Sequence, residues 1–155
     1  MKAPSHCPHC GCELVKIRSP QDHNRFFAVI ARAYECWPES HEHQPSSAEH
    51  LRAYLLVSAG YHDVATVDLS WVTQDKNLLT LARLNVEASI AAGLARGDYV
   101  FTRPRGDIVE VLRPKSIAWA ALGQKEFGPI RQACEEIIEN VIGVKADQLL
   151  KEKAA

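Results

Sequence analysis

Apolar residues return at three- and four-residue steps from Phe26 through Ile30 and Ala33 to Trp37, with Phe27 and Tyr34 widening the stripe. This is the period of an α-helix that turns one face to a core. Ser19 is placed as its N-cap, Pro20 takes the first helical position, and Asp22 lies near the unpaired amides of the first turn. Pro38 stops the chain from continuing as a helix, so the pattern predicts one over about 20–37. A polar link of His, Glu, Gln, Pro and Ser follows at about 38–46.

Ser46 and Glu49 have capping-box spacing ahead of Leu51, Tyr54 and Leu55, and Gly60 is a stop, so a second helix is predicted between them. Val64, Val67, Leu69, Trp71 and Val72 form an irregular strand or an extended link. The Leu- and Ala-rich run from Asp75 to Arg96 carries Leu78, Leu79, Leu81, Ala82, Leu84, Val86, Ile90 and Leu94 and predicts a third helix, ended at Gly93 or Gly97. Tyr99-Val100-Phe101 and Ile108 to Leu112 are β-rich runs around Pro104-Arg105-Gly106-Asp107, which predicts a two-stranded hairpin. Phe127, Ile130, Ala133, Cys134, Ile137, Ile138 and Val141 mark a last long helix closed by Gly143. Pro129 limits how far back that helix runs, and a short tail helix begins near Ala146. The expected fold is α+β: a mostly helical single domain over 19–150 with a β-hairpin, preceded by a short Cys/His-rich segment over 1–18.

Composition narrows the functions more than the fold. At 155 residues, with 46% hydrophobic and 24% charged residues, the chain suits one soluble domain. A net charge of −1 argues against coating duplex DNA by bulk electrostatics and confines any nucleic-acid binding to a local patch. There is no apolar run that would span a bilayer, and the first residues are polar and Cys-rich rather than a signal peptide. The reading is a cytoplasmic protein with no membrane partner.

Four constellations carry candidate chemistry. In His6-Cys7-Pro8-His9-Cys10-Gly11-Cys12, Cys7 and Cys10 have the spacing of a zinc knuckle, with Cys12 as a third thiolate. A tetrahedral site needs a fourth ligand, from His6, His9, His23, His41 or His43, or from a homodimer whose two chains share an ion. A Cys-rich tail kept reduced is the competing reading, redox chemistry ranks below both, and a disulfide ranks last for an intracellular chain. The second constellation is the hairpin, where Arg103, Arg105, Arg113 and Lys115 stand near Tyr99, Phe101 and Trp119. Strand alternation puts Tyr99, Phe101 and Arg103 on one face, a platform for unstacked bases and phosphates; the plainer reading is a solvated turn over a buried aromatic pair. The third is a metal-dependent nuclease in which His23, Asn24, His62 and Asp63 converge, with histidine as general base. No carboxylate pair, phosphate loop or nucleophile elbow accompanies it. The fourth, His41-Glu42-His43 with His50, reads as a solvated link.

Three blocks in order, His23-Asn24-Arg25-Phe26-Phe27 running to Trp37-Pro38, Leu51-Arg52-Ala53-Tyr54 running to Tyr61-His62-Asp63, and Arg113-Pro114-Lys115-Ser116-Ile117-Ala118-Trp119, resemble an uncharacterised family of small proteins of lambdoid phages and prophages. More distantly, the Asn-Arg start of the first helix is similar to the NinB family, the Orf recombination mediators of phage lambda. The resemblance implies a non-enzymatic accessory in phage DNA recombination or replication that binds single-stranded DNA or the host single-stranded-DNA-binding protein. On that model Arg103, Arg105, Arg113 and Lys115 neutralise phosphates, Tyr99 or Phe101 stacks on bases, and Arg25 extends the patch. The alternative class is an interaction module that targets a host factor without binding nucleic acid.

Overall fold

The computed structural model describes residues 9–10, 19–72, 75–94, 99–118 and 122–151. Among the described residues are five helices and a three-stranded antiparallel sheet: α1 (Pro20–Glu35), α2 (Ala48–Ser58), β1 (His62–Asp68), α3 (Lys76–Leu94), β2 (Phe101–Arg105), β3 (Ile108–Pro114), α4 (Gln124–Ile142) and α5 (Ala146–Lys151). The fold is α+β, as the periodicities require.

The stripe on α1 is buried as its spacing dictates, with Phe26, Val29, Ile30 and Ala33 inside. Phe26 meets Phe127 of α4 edge-on at 5.4 Å between ring centroids, and this contact sits in a core shared with Leu51, Leu55, Ile117, Cys134, Ile138 and Leu149. Ser19 caps α1. For α2 the cap is Ser47 rather than Ser46: its Oγ accepts from the His50 amide at 3.1 Å. Glu49 therefore makes no capping box and pairs with Arg52 one turn on. Gly60 closes α2 at φ 81°, with Tyr61 N–H donating to Leu56 O at 2.8 Å and Gly60 N–H to Val57 O at 3.0 Å, the two bonds of a Schellman end.

Two differences concern β1 and α4. The run from His62 to Asp68 is a regular strand, so the sheet has order β1-β3-β2 and the expected ribbon gains a third member. Helix α4 starts five residues before Pro129. Proline forfeits only one backbone bond there, its ring faces solvent, and the fully buried Phe127 anchors the turn it follows.

The sheet has two unlike faces. Val67 and Val111 lie against Val86 and Ile90 of α3 around a groove of about 340 Å³. The opposite face carries Phe101, Arg103 and Arg105 of β2, Ile108, Glu110 and Leu112 of β3, and Val64 and Thr66 of β1, by register and alternation. At one end of that face Leu112 and Phe101 reach the helical body. At the other, the hairpin turn projects away from it.

Candidate nucleic-acid interface

The structure sorts the predicted site residues into three places. Tyr99 and Phe101 are drawn into an aromatic–histidine cluster with α2 and the link before it. His50 stacks on Tyr99 at 5.3 Å and an interplanar angle of 15°, and lies 5.7 Å from Phe101. His43 stacks on Tyr54 at 4.1 Å and 10°, and Trp37 stands edge-on to Tyr54 at 6.2 Å. The link is consequently held by hydrogen bonds, with His41 and His43 half-buried and Glu39, Ser40, Glu42 and Gln44 exposed to solvent. Trp37 Nε1 donates to His43 O at 2.9 Å, and the Gln44 side chain donates to the carbonyls of Pro38, Glu39 and His41. Burial pushes the pKa of His43 down to about 4, with His50 and His41 adding to the effect, and burial also lowers that of His50. Tyr99 and Phe101 are half-buried, their rings packed against His50 and, for Phe101, against His43 and Tyr54 as well.

Arg25 is the second case. Its guanidinium donates to Glu135 of α4 at 2.5 Å and to Asp147 of α5 at 2.7 Å, tying three helices together. The hydrogen bond to Asp147 leads in raising its pKa above the ordinary value, and the same bond holds Asp147 below the usual carboxylate range. Arg25 is spent on the helical body and does not extend a patch at the hairpin.

The third place is the projecting end of the sheet. Arg103 and Arg105 both reach Glu110, at 2.5 and 3.2 Å, and remain about half-exposed or more on their side chains. Arg113 lies on the other face by alternation, and Lys115 pairs with Asp63 at 3.6 Å while lying 6.0 Å from the Tyr61 ring centre. The four cations are thus divided, Arg103 and Arg105 on one face and Arg113 and Lys115 on the other. Trp119, expected near them, lies outside the described residues.

That end holds residues the sequence reading did not single out. Leu69 N–H donates to Asp107 O at 2.8 Å, pinning the turn after β1 to the hairpin turn. This turn carries Trp71, 81% exposed, and Val72, 41% exposed. Arg83 of α3 donates to Gly106 O. The turn bearing Trp71, Arg83 of α3 and the exposed Ile108 thus meet at the hairpin turn over residues 105–108, with Arg103 and Arg105 on the sheet face opposite α3. Three carboxylates, Asp68, Asp107 and Glu110, stand among them, so formal charge there balances. Trp71 gave no signal of its own, as one of several apolar residues in an irregular run.

Three members of the nuclease set have partners in the fold. His23 packs on Phe27 at 4.7 Å, and neighbouring Asp22 accepts from Gln124 and Arg131. His62 stands opposite Pro114 in the sheet, and Asp63 is the partner of Lys115. Among the described residues no group of three or more His, Cys, Asp or Glu is placed to hold a metal ion. His6, Cys7 and Cys12 lie outside the described residues. Cys10 is disulfide-bonded, the state ranked last from sequence. Cys36 and Cys134 are free, and burial pushes the Cys134 thiol up to about 12. No helix among the described residues is long and apolar enough to cross a membrane.

Comparison of the chain with models of protein families, with curated proteins and with solved structures returns no match.

Proposed function

We propose that the protein is a non-enzymatic accessory of phage or prophage DNA recombination or replication that engages single-stranded DNA at the projecting end of its sheet. The observation that carries this reading is Trp71, an almost fully open indole fastened through Leu69 and Asp107 to a turn flanked by Arg103 and Arg105. An exposed ring offers a stacking surface to any unpaired base, and guanidiniums at the same end of the sheet can donate hydrogen bonds to phosphate oxygens. Duplex DNA hides its base faces, which favours the single strand. Because local charge balances, stacking and direct hydrogen bonds supply most of the affinity, and the salt dependence is shallow.

Titration with an oligothymidylate is the direct test, read by quenching of tryptophan fluorescence. Quenching is expected in the wild type, and Trp71→Ala should weaken binding by about fivefold or more, the scale of one lost stacked base. Quenching and affinity unaltered in Trp71→Ala would move the site elsewhere.

A second reading has its own observation. Leu78, Leu81 and Leu84 of α3 are each more than half exposed, an apolar surface suited to a protein partner such as the host single-stranded-DNA-binding protein. The reading places the protein in the bacterial cytoplasm. It reserves zinc at Cys7, Cys10 and Cys12 for the reduced state, since a sulfur in a disulfide is no thiolate ligand.

A further inference from the structure

The two edges of the sheet differ in how they are protected. Strand β2 has Pro104 and two arginines along its length, and Arg83 of α3 reaches the turn that follows it. These are features that discourage pairing with another strand. Strand β1 has no proline or arginine, and its carboxylates Asp63 and Asp68 stand toward its ends: between them it reads Val-Ala-Thr-Val, and it pairs with β3 along seven residues without a bulge. Val64 is 51% exposed.

The register shows which backbone groups this edge offers. Lys115 N–H donates to Tyr61 O, and Leu69 N–H to Asp107 O, at opposite ends of the ladder. Odd-numbered residues of β1 therefore turn their amides and carbonyls toward β3. His62, Val64, Thr66 and Asp68 direct theirs outward. In an antiparallel pairing of β1 with a second β1, the register centred on Ala65 sets His62 opposite Asp68 and Val64 opposite Thr66, each twice. It is the register that uses all four outward residues of both chains. It also places an imidazole across from a carboxylate and β-branched residues across from each other, with the smallest side chain at the axis.

We propose that β1 is the interface of a homodimer, in which two copies of this chain join into one six-stranded sheet of order β2-β3-β1-β1-β3-β2 about a two-fold axis at Ala65. The edge-on pairing satisfies outward amides and carbonyls that pair with no backbone group among the described residues. Because the axis runs perpendicular to the sheet, both Arg103–Arg105 faces look the same way and both α3 helices lie together on the reverse. This assembly depends on neither nucleic acid nor zinc.

Sedimentation equilibrium of the full chain, without DNA and with reductant, tests it across a concentration series. A dimer is expected. Thr66→Pro removes one outward amide from each chain while sparing the bonds to β3, and should raise the dissociation constant by at least about tenfold with the far-ultraviolet spectrum unchanged. His62→Asp and Asp68→His should each weaken the dimer, and the two together should restore it. Ala65→Cys reports the register independently of any loss of fold, because facing residues at a non-hydrogen-bonded position are about 4.5 Å apart at Cα, within disulfide range. A disulfide joining the two introduced thiols across the axis, formed under mild oxidation, is the expected product. A monomer at every concentration, a dimer indifferent to Thr66→Pro, a double swap that fails to rescue, or the absence of that link would overturn the proposal.

Discussion

Arg25 illustrates how a polar residue in a promising motif can be claimed by the fold. Its ion pair with Glu135 is the more consequential of its two, since the Glu135 side chain is only 16% exposed while that of Asp147 is 74% exposed. Arg25→Ala leaves Glu135 with the longer contact to Arg131 at 4.0 Å, and should cost about 1 to 3 kcal/mol of stability, measurable by urea denaturation. Single-strand affinity of the folded variant should be unchanged. His43 gives a second residue-level prediction. Its pKa of about 4 lies below the ordinary histidine value of 6.5, so the folded state favours neutral imidazole and the unfolded chain takes up its proton first. The associated stability is present above pH 6.5 and is lost as pH falls toward 4, by about 1 to 2 kcal/mol once solvent screening of the partly exposed ring is allowed for. His43→Phe, which keeps a ring against Tyr54, should flatten that part of the stability–pH curve, and an unaltered slope would place the effect on other groups.

Among the elements, those built from local spacing were legible and those set by distant partners were not. The stripe on α1, the caps at Ser19, Gly60 and Gly143, and the turn at Gly106 each depend on residues within one turn, so sequence carries them. Ser46 and Ser47 compete for one cap, and only the path of the link decides between them. That path is held by Gln44 and by Trp37 on His43 O, contacts with no periodic signature. The same reason hides the aromatic–histidine cluster, whose members come from the link, α2 and β2, and it explains why His41 and His43 read as solvated. Strand β1 was ambiguous because it is exposed on much of both faces, leaving little apolar alternation to detect. The exposure that blurred its signal is also what leaves its edge open.

The whole molecule divides into a helical body and a sheet that projects from it, and the candidate site lies on the projection. The arrangement separates stability from recognition. Changes at Arg103 and Arg105 touch Glu110 and solvent and should leave the core around Phe26 and Phe127 intact. Hence Arg103→Ala with Arg105→Ala should lower single-strand affinity with little change in melting temperature. The site was half legible: its arginines and hairpin could be read, whereas Trp71 and Arg83 reach it only through tertiary hydrogen bonds at the turn. Fluorescence anisotropy with labelled single-stranded and duplex oligonucleotides of matched sequence, across a salt series, tests the central claim most directly. Preference for the single strand is expected, with affinity falling only about five- to tenfold between roughly 50 and 200 mM salt, as suits roughly two neutralised phosphates. Equal binding of both forms, or none at low salt by folded protein, would contradict it and leave the leucine face of α3 as the surface to pursue.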